Sequence, residues 1–346
     1  KINISVAALH LLAIALLFLI DKLSIELVFT FVAIEFFFAA IFSHQFFKIT
    51  FLNKKEDFKN ILKEFKIYCL PLIPFVWISM VSFFANTWFL QKFGGSIEQA
   101  YYAIAVQFSV LSFILISPML NIFWKEVSEL CKKGKSDQLD KMYTRVCRIL
   151  FIIPTIIAGL VIPWSVEIIS FVLGDQYTIA APAMQLMFMY SIWQSLGAIK
   201  INTLYALEFT KARTKFGIIF ALISIPFTYL MIGPSDTAFP GLNYGAVGLA
   251  FKMFLLQIIM VNIYGWWISR TMKWKFDWLY QILVFFSCIG VSFFLYFLMQ
   301  SQIFDHLDIV FRFIIAQILY ILFIFLIAFK KPLFLGVTRN DLNKSI

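Results

Sequence analysis

The residues whose types could do chemistry in this sequence are a few charged side chains set inside long apolar stretches. Glu35 stands in the middle of one such stretch. If the stretch crosses a membrane, an ionisable group there is expensive and marks a functional path by default. Glu35 would hold a proton or cation in an aqueous cavity, or be a carboxyl neutralised by burial and hydrogen-bonded to a neighbour. We favour the cavity role, which makes Glu35 the candidate for ion coupling.

Three basic residues raise the same question for an anionic substrate. Lys252 lies about two turns into its stretch, where it would either snorkel to the membrane surface or face inward as a point charge. Lys200 would attract a pyrophosphate or anchor its helix at the headgroups, and position alone favours anchoring. Arg312 follows Asp308 by four residues, a spacing that favours a local ion pair on one helix face. All three remain candidate substrate-binding cations.

Uncharged polar residues in the apolar stretches complete the candidate list. Asn86 and Gln107 could line a hydrated path or bridge two helices by a hydrogen bond, and bridging is the commoner use.

Catalytic and metal sites are not indicated by the sequence. We find no paired carboxylates, no serine–histidine set and no glycine-rich phosphate loop at usable spacing. The four cysteines show no CxxC spacing, and the three histidines lie in different regions. We therefore expect a protein that is not an enzyme and that holds no metal or cofactor, apart from a coupling ion such as H⁺ or Na⁺.

The composition explains where these side chains are placed. Of the 346 residues, 62% are hydrophobic and 14% are charged, against about 45–50% and about 25% in soluble domains. Because the apolar runs are long and continuous, the fold class that we predict is all-α, a polytopic transmembrane helical bundle. About ten spans are expected, near residues 4–20, 23–43, 68–90, 99–123, 147–170, 178–207, 215–233, 244–268, 278–299 and 309–329.

The net charge of +10 follows this map. Assigning Lys1, the tail from residue 330 and alternate loops to one face collects 25 of the 29 basic residues there. Positive charge is retained in the cytoplasm, so both termini are predicted to be cytoplasmic. Since topology accounts for the charge, a nucleic-acid partner is not expected.

Two cytoplasmic loops are longer than the others. Residues 47–67 place Phe58, Ile61, Leu62 and Phe65 at helical spacing, which indicates either an amphipathic helix in the membrane interface or a charged connector. Residues 125–148 carry both charge signs and are predicted to be a solvated helix–turn connector.

Two passages resemble one protein family. The first opens with YCLPLIP, in which Pro71 and Pro74 stand at the start of a span, and runs to EQAYYAIAVQFS. The second is LGDQYTIAAPAMQLM, where Gly174 can end one helix, Asp175 or Thr178 can cap the next, and Pro182 lies near its first turn. Together they resemble the Wzx-type O-antigen and capsular polysaccharide flippases of the multidrug/oligosaccharidyl-lipid/polysaccharide exporter superfamily.

The resemblance implies an incomplete two-lobe exporter. By this match, residues 1–46 are the last two helices of an N-terminal lobe, 47–67 an amphipathic linker, 68–329 a C-terminal lobe with eight helices and 330–346 a cytoplasmic tail, and about four helices precede Lys1. Where relatives often have an acidic–basic pair, this chain has Asn86 and Thr87. That departure shifts the expected carrier-binding role to Lys252 and Lys200.

The function that the resemblance implies is transport of a lipid-linked oligosaccharide. The chain would flip an undecaprenyl-diphosphate-linked O-antigen, capsule or exopolysaccharide unit across the bacterial inner membrane by alternating access, alongside glycan-assembly enzymes. The alternatives are a drug/cation antiporter of the same superfamily, a membrane glycosyltransferase or glycan polymerase, and a non-catalytic scaffold. One deep acid against two intramembrane bases favours an anionic cargo.

Overall fold

A computed structural model describes residues 24, 26–27, 30–34, 36–37, 55–114, 116–132, 136–304 and 306–330. Within these ranges the chain is helical, with three 3₁₀ turns and no strand. It divides into two compact units, Lys1–Phe65 and Lys66–Ile346. The all-helical prediction is therefore confirmed for the described part of the chain.

The first unit is described only in short pieces. Residues 26–27, 30–34 and 36–37 are helical, which covers part of the predicted span 23–43. The predicted span 4–20, Glu35 and the tail beyond residue 330 lie outside the described residues. Helix α1 (Lys55–Cys69) begins in this unit and bears out the helical part of the predicted linker, and its Ile61, Leu62 and Phe65 are exposed.

Two prolines and a glycine shape the start of the second unit. A 3₁₀ turn at Leu70–Leu72 contains Pro71, and Pro74 follows in the first turn of α2 (Ile73–Ile114), where a missing N–H is tolerated. Helix α2 has non-helical backbone at Gly95, whose φ of 74° favours a residue without Cβ. Arms of about 33 and 28 Å result on either side of Gly95, each close to the thickness of a bilayer core.

The middle of the unit differs from the predicted spans. The predicted span 99–123 crosses the boundary between α2 and α3 (Ser117–Lys132). The predicted span 147–170 was wrong, because α4 runs from Ser136 to Val161 and a separate α5 follows at Ser165–Leu173. The first turns of α4 are charged, so a window bounded by charges placed its start too late. Within the connector predicted at 125–148, α3 ends at Lys132 and α4 begins at Ser136, and the residues between them lie outside the described residues.

Helix α6 (Ala181–Ala206) lies at the centre of the unit. It packs against α2, α3, α4 and most extensively α8, and more than half of its residues are buried. A Cβ on Gly197 would come within 2.8 Å of Gln257 and Val261, so the glycine permits the close approach of α8. Since neighbouring helices shield α6, it can carry polar residues that a lipid-facing helix could not.

The remaining helices agree with prediction to within a few residues. They are α7 (Thr210–Ile232), α8 (Gly245–Met272), α9 (Trp278–Met299) and α10 (Ile309–Lys330). Among the described residues six helices are long and apolar enough to cross a membrane: the two-armed α2, then α4 and α7–α10. This indicates a membrane protein, while the count of about ten spans and the exporter architecture are left unconfirmed.

Candidate functional site: a cation-lined cavity

A cavity of about 280 Å³ lies among α2, α6, α7 and α8. Its volume corresponds to roughly twenty water positions. The lining includes Ser79 and Ser82 of α2, Ser224 of α7 and Gln257 of α8, interleaved with apolar and aromatic side chains. The described residues of its wall include no carboxylate. The cavity can therefore offer hydroxyl, amide and cationic groups to a ligand.

Lys252 lies beside this cavity and faces the protein interior. Its side chain is 0% exposed, and Nζ donates to Oδ1 of Asn86, a wall residue, at 2.8 Å. The same Oδ1 accepts a hydrogen bond from Thr228 Oγ1 at 2.7 Å. Snorkelling to the membrane surface, one of the two interpretations of Lys252, is therefore wrong. Asn86 does bridge helices, since its contacts join α2 to α7 and α8.

Arg213 is the second cation of the cavity and lies in its wall. The side chain is 7% exposed, Nη1 donates to Tyr264 Oη at 2.6 Å, and the guanidinium stacks 4.1 Å from the Phe75 ring centroid. Its Nε is buried and has no hydrogen-bond partner within the described structure. A buried charge without a carboxylate is costly and leaves donor capacity for an anion.

The two cations lie far apart along α8. Lys252 belongs to α8, and Tyr264, the partner of Arg213, follows it by twelve residues, or about 18 Å of helix. Gly217 permits the narrow crossing beside Arg213, because a Cβ there would clash with the Phe75 ring and lie 2.6 Å from Arg213 Nη1. The arrangement can offer cationic donors at two separate points to an extended, hydroxyl-rich anion.

Lys200 does not reach this cavity. It is 3% exposed, its Nζ donates to the Val261 carbonyl at 3.1 Å, and it lines a separate chamber of about 30 Å³. Its burial disagrees with the headgroup-anchoring interpretation. The chamber is also too small for a pyrophosphate. Lys200 and Lys252 therefore do not share one site, because Lys200 lines this chamber and Lys252 lies beside the larger cavity.

The other predicted residues are scattered. Gln107 is exposed on the second arm of α2. Arg312 is half-buried at the start of α10, and its Nε donates to the Leu307 carbonyl at 2.9 Å. That contact is local to the start of α10, and the ion pair with Asp308 stays a prediction. Neither residue lines the cavity described above.

The second motif forms a turn between α5 and α6. Gly174 ends α5 with a φ of 100°, and Pro182 lies in the first turn of α6, both as predicted. The predicted capping by Asp175 or Thr178 was wrong: a 3₁₀ turn (Asp175–Ala180) intervenes, and α6 begins at Ala181 with Ala180 as an N-cap that makes no side-chain hydrogen bond. Asp175 instead accepts a hydrogen bond from Ser170.

Sequence reasoning missed Arg213 as a cavity residue. It lies between Lys211 and Lys215, and the charge-bounded span was started after it. Helical spacing did indicate it: Arg213, Gly217, Ala221 and Ser224 recur every three or four residues and form one small or polar face of α7, and all four line the cavity.

Comparison of the chain with protein-family models, curated proteins and solved structures gives no match.

Proposed function

We propose that this chain is a transporter that flips an anionic, lipid-linked oligosaccharide across a membrane by alternating access. The observation that carries the proposal is a pair of buried cations at one cavity: Arg213 lies in the wall, Lys252 donates to the wall residue Asn86, and the described wall holds no carboxylate. The motif resemblance stated above supports the finer form, a Wzx-type flippase of undecaprenyl-diphosphate-linked glycan in the bacterial inner membrane.

The chemistry of the cavity favours this cargo over a cationic drug. A pyrophosphate needs guanidinium or ammonium donors, and Arg213 presents an unpartnered Nε. A glycan adds hydroxyl groups, which serine and glutamine side chains in the wall can meet. A cationic drug would instead require a carboxylate in the cavity. A glycosyltransferase or polymerase is the other alternative, and it would alter the glycan covalently.

The test measures leaflet exchange of a labelled lipid-linked glycan in proteoliposomes containing the full chain. Arg213→Gln removes the guanidinium, and we expect the flipping rate to fall about tenfold or more, which corresponds to loss of one charged hydrogen bond. Lys211→Gln is the matched control, because Lys211 is exposed two residues earlier on the same helix. Arg213→Lys should recover part of the rate.

Three results would overturn the proposal. A covalent change in the labelled glycan would indicate an enzyme. Equal flipping by the Arg213→Gln and Lys211→Gln variants would remove the cavity from the transport path. Absence of flipping by the wild-type chain would indicate a scaffold without transport activity.

A further inference from the structure

The small chamber at Lys200 is distinct from the proposed substrate cavity. Its walls come from α4, α6, α8, the start of α9 and the segment that precedes α9. Lys200 is more than nine-tenths buried, and its hydrogen bond goes to the Val261 carbonyl oxygen, with the Phe276 ring centroid 5.5 Å from Nζ. An ammonium group has three donors, so one carbonyl and one ring do not satisfy it.

The acidic residue that lines the chamber, Asp277, already forms an ion pair with another residue. Asp277 lines the chamber, but its carboxylate pairs with Arg148 of α4, whose Nε donates to Oδ2 at 2.8 Å. Within the described residues Lys200 has no carboxylate partner. Lys275 adds a further positive charge to the wall. The four ionic side chains that line the chamber therefore sum to an excess of two positive charges.

The size of the chamber limits what can neutralise it. About 30 Å³ corresponds to roughly two water positions. A phosphate or carboxylate ligand would need more room, whereas a single monatomic anion fits. An anion there would accept hydrogen bonds from the remaining N–H groups of Lys200 and would offset the cost of burying the charge of that ammonium.

We propose that the chamber formed by Lys200, Arg148 and Lys275 binds one halide ion, with chloride as the natural occupant. The ion holds α6 and α8 against α4 and the start of α9. This role concerns the folded protein in general and does not depend on which cargo is flipped.

Gly265, on α8, provides the space that the Lys200 ammonium occupies in the chamber. A Cβ at this position would lie 2.5 Å from Lys200 Nζ and 2.8 Å from the Phe276 ring. The glycine on α8 therefore leaves the space in which the ammonium faces the chamber. Gly265→Ala should displace Nζ and weaken halide binding while leaving the charge of the chain unchanged.

The experiment compares thermal midpoints of the purified full chain in detergent, at constant ionic strength, as sodium gluconate is replaced by sodium chloride or bromide. We expect a saturable rise in the midpoint for both halides, as for any ligand that binds the folded state alone. Lys200→Met should abolish the rise, Gly265→Ala should reduce it, and the exposed-site control Lys211→Met should keep it.

Bromide also locates the site directly. Anomalous diffraction from crystals soaked in sodium bromide should give a peak within hydrogen-bond distance of Lys200 Nζ. If Lys200→Met does not fold, the presence or absence of this peak in the wild-type protein shows whether halide binds at Lys200. The proposal is overturned by a midpoint that does not respond to halide, by an undiminished response in Lys200→Met, or by a chamber that holds only water.

Discussion

Replacing Lys252 by Met separates the contribution of this residue to stability from its contribution to transport. Methionine has a similar length and refills the site without a charge. The change removes a fully buried ammonium and its hydrogen bond to Asn86 Oδ1 at 2.8 Å. That bond is worth about 1.5–3 kcal/mol, but burial of the charge costs several kcal/mol. We expect Lys252→Met to be neutral or more stable by up to about 2 kcal/mol.

The opposite change removes the acceptor and keeps the charge. Asn86→Leu leaves the ammonium without that partner, which costs about 2–3 kcal/mol in a site bordered by a hydrated cavity. Thr228 is not orphaned, because its hydroxyl also contacts the Ser224 carbonyl at 2.7 Å. Combining the two changes removes the isolated charge, so the double variant should regain most of the lost stability.

The assay is a thermal melt of the full chain in detergent, followed by tryptophan fluorescence, with flipping measured on the same preparations. The expected order of midpoints is Asn86→Leu lowest, then the double variant, then wild type, with Lys252→Met equal to or above wild type. Flipping should fall whenever Lys252 is absent. The reasoning is refuted if Lys252→Met melts as early as Asn86→Leu and the double variant recovers nothing.

Three further changes test local features of the second unit by the same melt. Glu98→Ala should lower stability by about 1 kcal/mol, because Glu98 Oε2 accepts the Ala246 N–H at 2.6 Å at the start of α8, and Glu98→Gln should lose less. Gly174→Ala should cost about 1–3 kcal/mol, since its φ of 100° disfavours a Cβ, whereas Gly290→Ala in the open face of α9 should cost nothing. Arg148→Gln should cost at most about 1 kcal/mol, because the pair with Asp277 is 23% and 32% exposed. The wild-type advantage should shrink as sodium gluconate, a halide-free salt, is raised, and an equal loss at every gluconate concentration would contradict this.

The helices most accurately predicted are α7 to α10. In each of them a long apolar run and the helix coincide to within a few residues, as expected of helices apolar enough to cross a membrane. The same logic failed for α4, whose charged first turns pack as a helix although they are not apolar. Hydropathy indicates whether residues lie in an apolar environment, and it does not mark where a helix begins. Helix α4 therefore starts at Ser136, before its apolar run.

Helix α6 shows the second limit of hydropathy. It was predicted as a span (178–207) because it reads as an apolar window bounded by charges, yet it is too polar to count among the six apolar helices. Its serines illustrate the reason: Ser191 and Ser195 are buried and donate to backbone carbonyls of their own helix. A helix enclosed by others satisfies polar groups internally, so its low hydropathy is a sign of a central position.

The two cations of the cavity differ in how visible they are in the sequence. Lys252 stands out because residues 245–251 and 253–256 around it are all apolar or small, and the sequence left open only whether its side chain faces the protein or the membrane surface. Arg213 is hidden between two lysines that look like ordinary solvated charge. Packing distinguishes them: Lys211 is exposed, whereas Arg213 is enclosed by Phe75 and Tyr264. Because those two rings come from α2 and α8, the burial of Arg213 depends on contacts between helices distant in sequence, which no local window can report.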